Sequence, residues 1–280
     1  MLQTIIDSYF LLDGGAMNGI VPRAIWEKQH PPDDRGRIQM VSRVTLFKDV
    51  KHGRLWLIEA GLGNGWTTKQ MDIYGIKKVD GGLIGQLANL GIRSEDVTDV
   101  ILTHLHFDHC AGVVTHEEGS TKLSFPKAKT YIQKKQLKWA LKPTLKDLGS
   151  FREDDIKFLA SSKNLILLEG PANLSDTISV KPLDGHTAAM QTVSIFHVDQ
   201  THVIAADLIP FFSHIRLPWI MAYDNYPILT LEEKKRFLKT AVQKEFIVIS
   251  VHDPLTPAAI ILETRENQFQ YEKVERLHFK

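Results

Sequence analysis

The sequence predicts an α/β architecture in which two β-sheets lie face to face with helices outside. Three observations carry that prediction. Short runs of β-branched and aromatic residues recur along the chain, stretches with helical spacing interleave with them, and the composition is that of a chain with a real core, 43% hydrophobic and 24% charged. Such alternation packs as sheets covered by helices, and such a composition excludes a disordered or fibrous chain.

The elements follow in order. β-type runs lie at 44–47, 55–58, 97–102, 130–132, 193–196, 203–206 and 246–251, each rich in Val, Ile, Thr or an aromatic residue. A helix over 83–90 has apolar residues at helical spacing and stops at Gly91. A second, over 231–246, opens with Glu232 and Glu233, the charge a helix N-terminus favours. Residues 134–158, rich in Lys, Asp and Leu and broken by Pro143, read as a helical insertion or cap. The segment Ile58-Glu59-Ala60-Gly61-Leu62-Gly63-Asn64-Gly65 follows a strand with alternating glycines. It lacks the Lys-Ser/Thr of a phosphate-binding loop and is a weak match to a dinucleotide fingerprint.

Composition narrows the function. Lys and Arg total 34 against 33 Asp and Glu, and no basic block or stripe appears, which argues against nucleic acid as a partner. The single cysteine, Cys110, rules out an intramolecular disulfide framework and reads as a small side chain packed behind the site that precedes it. The opening residues carry no basic region, long apolar stretch or cleavage site, and no apolar run approaches a membrane span. The expectation is a soluble cytoplasmic protein with no membrane partner.

The stretch Thr103-His104-Leu105-His106-Phe107-Asp108-His109 directly follows the apolar run at 97–102. Imidazole and carboxylate are the ligands that borderline divalent metals such as zinc prefer. In an extended segment side chains alternate, so His104 and His106 share a face, and a turn after Phe107 would carry Asp108 and His109 to a second position. A pair of adjacent metals follows as an expectation.

This stretch resembles the signature loop of the metallo-β-lactamase fold superfamily. Three further features in the order that the family expects extend the likeness over most of the chain, from about residue 55 to residue 252: His186 in a Gly-His context, Asp207 after the strand at 203–206, and His252 after the strand at 246–251. The resemblance implies an αββα four-layer sandwich. It also implies His104, His106 and His186 around one metal, Asp108, His109 and His252 around another, and Asp207 between them with a bridging hydroxide. Zinc is the first expectation for the two divalent ions, with iron, manganese or cobalt as alternatives. Ligands scattered from 104 to 252 would have to converge, so the expectation is a single domain, 1–280. His30, His52, His116, His197, His202 and His278 read as ordinary surface or interior histidines.

The chain departs from the family twice. Glu59-Ala60-Gly61 stands where the family has Asp-Thr-Gly, leaving Glu59 either a partner to a ligand histidine or a strand-end carboxylate. The second histidine that often follows the Gly-His-Thr motif is absent after His186.

Within the superfamily, residues 13–22, 103–109 and 217–224 look most like the quorum-quenching lactonase branch, related to N-acyl-homoserine lactonases. The resemblance implies hydrolysis of a small-molecule ester, a lactone first, with aryl esters, glyoxalase II-like thioesters and phosphotriesters as alternatives. Asp108 would shuttle the proton. Pro210 occupies the position of a tyrosine that lactonases of this branch use, so His214 and Tyr223 become candidates for its hydrogen bond. Met17, Phe211 and Trp219, with Ile20, Trp26, Trp66 and Phe212, are candidates for an apolar mouth or a homodimer contact. An iron-dependent redox enzyme and a non-catalytic metal-binding protein are the readings from other classes.

Overall fold

The computed structural model describes residues 1–274; His278 lies outside them. The chain divides into two compact units, one made of Met1–Tyr9 and Ser42–Gly170, the other of Phe10–Val41 and residues 171–274. Each contains a seven-stranded sheet, consistent with an α/β sandwich.

The sheet that lies in the first unit, apart from Phe10–Asp13 and Arg37–Val41, has the strand order Lys77–Lys78, Leu2–Asp13, Arg37–Asp49, Arg54–Ile58, Asp99–Ile101, Lys129–Gln133, Leu165–Leu168. The strand Arg54–Ile58 runs parallel to Asp99–Ile101, which runs parallel to Lys129–Gln133, with Ile58 level with Ile101. That register delivers Glu59 and the stretch from Leu102 onward to one edge of the sheet. The core beneath them includes Leu57, Val100, Leu102 and Leu105. The expected insertion forms two helices, Lys134–Ala140 and Glu153–Ala160, separated by the turn that contains Pro143. Their Leu137, Ile156 and Leu159 pack into that core. Burial of each such side chain contributes about 1.5–3 kcal/mol.

In the second unit the order is Ala172–Asn173, Ile178–Leu183, Met190–His197, Gln200–Ile204, Ile247–Ile249, Ala258–Arg265, Gln268–Lys273. Only Gln200–Ile204 and Ile247–Ile249 pair in parallel, with Ile204 level with Ile249. Asp207 and His252 therefore each emerge three residues beyond level strand ends. The hairpin that closes between Leu183 and Met190 turns at the same edge and carries His186. Leu238 and Ala241 of the helix Pro227–Gln243 pack on Val248 and Ala259 in that unit's core.

Several elements differ from the sequence reading. The long helix begins at Pro227 instead of residue 231, because proline's fixed φ suits the first helical position. Glu233 thus faces inward, accepting the backbone N–H groups of Asp184 and Gly185 at 2.9 and 3.0 Å. Strands Leu2–Asp13, Ile178–Leu183, Ala258–Arg265 and Gln268–Lys273 are additional. Among the described residues, no helix is long and apolar enough to cross a membrane.

Candidate metal centre

The groups able to hold a metal ion are His104, His106, Asp108 and His109 in the first unit and His186, Asp207 and His252 in the second, all buried.

In the first unit, the chain leaves the strand at Ile101, turns through Thr103 and His104, and starts the helix Phe107–Cys110. His104 Nε2 stands 3.0 Å from His106 Nδ1. Ligand atoms about 2.0–2.1 Å from a tetrahedral zinc lie about 3.3 Å apart, so this spacing fits two corners of one coordination sphere. The short helix places His109 beside His104, ring centroids 4.0 Å apart, with His109 Nε2 3.8 Å from Asp108 Oδ2. Glu59 holds the arrangement from behind. It accepts from His109 Nδ1 at 3.0 Å and from the Thr103 hydroxyl, which in turn accepts from His104 Nδ1 at 3.0 Å. Of the two roles open to Glu59, the hydrogen bonds match that of a partner to histidines of the motif, directly for His109 and through Thr103 for His104. Glu59 holds a left-handed backbone, φ 73°, a conformation that costs a non-glycine residue about 1–2 kcal/mol and is kept where surrounding structure enforces it.

In the second unit, Asp207 turns one carboxylate oxygen to His252 Nε2, at 3.1 Å, and the other to His186 Nε2, at 3.3 Å. Ala206, just before it, is also left-handed, φ 49°. The far nitrogens are tied down. His186 Nδ1 donates to Asp224 Oδ1 at 2.7 Å, and His252 Nδ1 donates to the carbonyl of Val41 at 2.9 Å. A histidine that ligates a metal commonly gives its other N–H to a carboxylate or carbonyl, which fixes its tautomer and aim. His109, His186 and His252 meet that test, and His104 reaches the Glu59 carboxylate through the Thr103 hydroxyl, so the residues present fit a divalent metal.

The remaining candidates are placed as follows. His214 is buried, with Nε2 donating to Met17 O at 2.9 Å and Nδ1 3.1 Å from Ser213 Oγ. Burial lowers its pKa to about 3, so it is a neutral structural link. Phe211 stacks on His214 at 5.7 Å, Trp219 meets it edge-on at 5.9 Å, and Met17 is 1% exposed. Met17, Phe211 and Trp219 are all buried, whereas Ile20 is 85% exposed. Tyr223 is half-buried beside Asp224. Cys110 is buried behind the first-unit ligands, and burial pushes its thiol pKa well up, as suits an inert side chain.

Sequence reasoning assigned no site role to Asp224, Thr103, Glu233 or Lys234. Lys234 is fully buried and donates to the carbonyls of Arg216 and Trp219 at 3.1 and 2.6 Å, fixing the loop that leads to Asp224. Burial lowers its pKa to about 7.

A family model described as the metallo-beta-lactamase superfamily matches residues 42–252. The chain belongs to that superfamily. Probable metallo-hydrolases of Mycobacterium bovis and Mycobacterium tuberculosis are each 24% identical over 192 residues, which is 60% of this chain and 59% of theirs. The chain thus spans under two thirds of the length of those curated relatives. Among solved structures, a probable metal-dependent hydrolase from Staphylococcus aureus aligns with a TM-score of 0.86 at 24% identity, covering 99% of this chain and 98% of that one. The dizinc quorum-quenching lactonase AidC, solved with a product, aligns with a TM-score of 0.76 at 19% identity, covering 99% of this chain and 95% of its own.

Proposed function

We propose that this chain is a two-metal hydrolase of carboxylic esters, lactones first, and that it is one functional domain. The observation that carries the reading is Asp207, whose two oxygens face different histidines, the pose expected of a carboxylate shared between two metals. Metals held there would supply a water acidified toward neutrality and positive charge against the oxyanion that develops at the attacked carbonyl. Glu59, Asp224 and the Val41 carbonyl keep the imidazoles aimed, so little reorganisation accompanies the reaction. Asp108, at 7% exposure on the first turn of its helix, receives the proton at its carboxylate and returns it to the leaving alkoxide. Similarity to a dizinc lactonase and the resemblance at residues 13–22 and 217–224 support the lactone preference.

The test loads the protein with zinc, cobalt or manganese and compares initial rates on short- and long-chain lactones, an aryl ester, a thioester and a phosphotriester. Metal-dependent lactone hydrolysis is expected. Turnover of the thioester or phosphotriester alone would overturn the lactone reading and leave the two-metal hydrolase standing.

A further inference from the structure

Residues 134–150 of the first unit carry five lysines and one acidic residue, Asp147. The helix Lys134–Ala140 turns Leu137 and Gln136 inward and leaves Lys138 exposed. Beyond it the chain makes a tight turn in which Asp147 is buried. Its carboxylate accepts from Trp139 Nε1 at 2.7 Å, from Thr144 N at 2.9 Å and from Thr144 Oγ1 at 2.7 Å. The only negative charge of the segment is thus spent inside, and it braces the turn.

What the braced turn presents outward is apolar at its tip and basic around it. Leu145 is 97% exposed, Leu148 51% and Leu141 43%. Lys138, Lys142 and Lys146 are exposed within the same stretch. Single exposed leucines are ordinary, but three within eight residues, interleaved in sequence with Lys142 and Lys146 and preceded by Lys138, make an exposed amphipathic segment. Leucine side chains at that density gain by entering an acyl boundary, and lysines beside them are attracted to anionic headgroups.

We propose that this turn is an interfacial docking surface for an anionic phospholipid bilayer, with Leu141, Leu145 and Leu148 entering the headgroup–acyl boundary and the lysines contacting anionic headgroups. Charge complementarity selects this occupant: the exposed charges of the segment are all positive. The surface departs from the expectation of no membrane partner. It is independent of the reaction assigned to the metal centre.

The experiment is co-sedimentation with phosphatidylglycerol–phosphatidylcholine vesicles and with pure phosphatidylcholine vesicles. Binding to the anionic vesicles is expected, weakened by raising salt from 0.1 to 0.5 M. Leu145→Ser should lower partition about tenfold. Lys138→Gln with Lys142→Gln should lower it about 25-fold on anionic vesicles, at roughly fivefold per lysine. Thermal unfolding of the variants should match that of the parent, since the altered side chains are exposed. Equal binding to both vesicle types, no binding to either, or undiminished binding by both variants would overturn the proposal. So would a dimer in sedimentation equilibrium that Leu145→Ser dissolves, because that result assigns the face to a second copy of the chain.

Discussion

In the first unit the metal-binding side chains come from six consecutive residues, 104–109, whereas in the second they come from three segments, at 186, 207 and 252. The first set is shaped by one turn running into one short helix, with Glu59 behind it. The second exists only because Ile204 and Ile249 are level and a hairpin closes beside them. Local ligands are therefore fixed by backbone geometry over a few residues, and dispersed ligands by sheet register. Asp207, whose two oxygens face His186 and His252, lies in the dispersed set, and so does the largest expected sensitivity.

Asp207→Ala removes the group facing both His186 and His252, and metal affinity should fall by more than about 100-fold, the upper range for losing an outer partner alone. Elemental analysis after equilibrium dialysis measures it. His186→Ala and His252→Ala should each weaken binding less and leave a site that still fills. Next in size are the orienting carboxylates. Glu59→Gln and Asp224→Asn should each cost about 10–100-fold in metal affinity, with Glu59→Gln the larger, since Glu59 supports His109 directly and His104 through Thr103. Chelator competition separates the two, and a larger loss for Asp224→Asn would break the comparison drawn between the units.

Backbone packing behind each set comes third. A Cβ at Gly112 would lie 1.9 Å from the carbonyl oxygen of Ala60, and one at Gly185 would lie 2.5 Å from Thr230 N. Gly112→Ala and Gly185→Ala should each destabilise by about 1–3 kcal/mol, read in denaturant unfolding. The pH effects are subtler. His214 is a base whose folded pKa, about 3, lies below its ordinary value of 6.5. The unfolded chain therefore binds the extra proton between those values, and stability falls as pH drops through that window. His214→Gln should flatten that slope. Lys234, at about 7 against 10.5, adds stability as pH rises between those values by the same logic. Lys234→Met should therefore be more destabilising at pH 9 than at pH 6.

The motif at 103–109 was legible because its chemistry is local: residue type and alternation were enough to place His104 beside His106. Asp207 and His252 were legible as residues after strands, although the parallel register that levels those strands was not. The sheet-forming run 2–13 was missed because its buried positions, among them Leu2, Ile5 and Phe10, are unevenly spaced and interspersed with polar residues. Glu59 could be seen as a departure, but its partners, 44 and 50 residues away, could not. Asp224 was seen only as the last residue of the segment 217–224, with no role attached, and Lys234 stands in no motif. A carboxylate orienting a histidine 38 residues distant, or an ammonium closing two loop carbonyls, is a product of tertiary packing and leaves no periodic trace.

Metal stoichiometry tests the central claim most directly. Protein loaded with zinc, cobalt or manganese and freed of excess by dialysis should hold about two ions per chain, and Asp207→Ala prepared identically should lose both. One ion or fewer in the parent protein, or full occupancy in Asp207→Ala, would contradict the account.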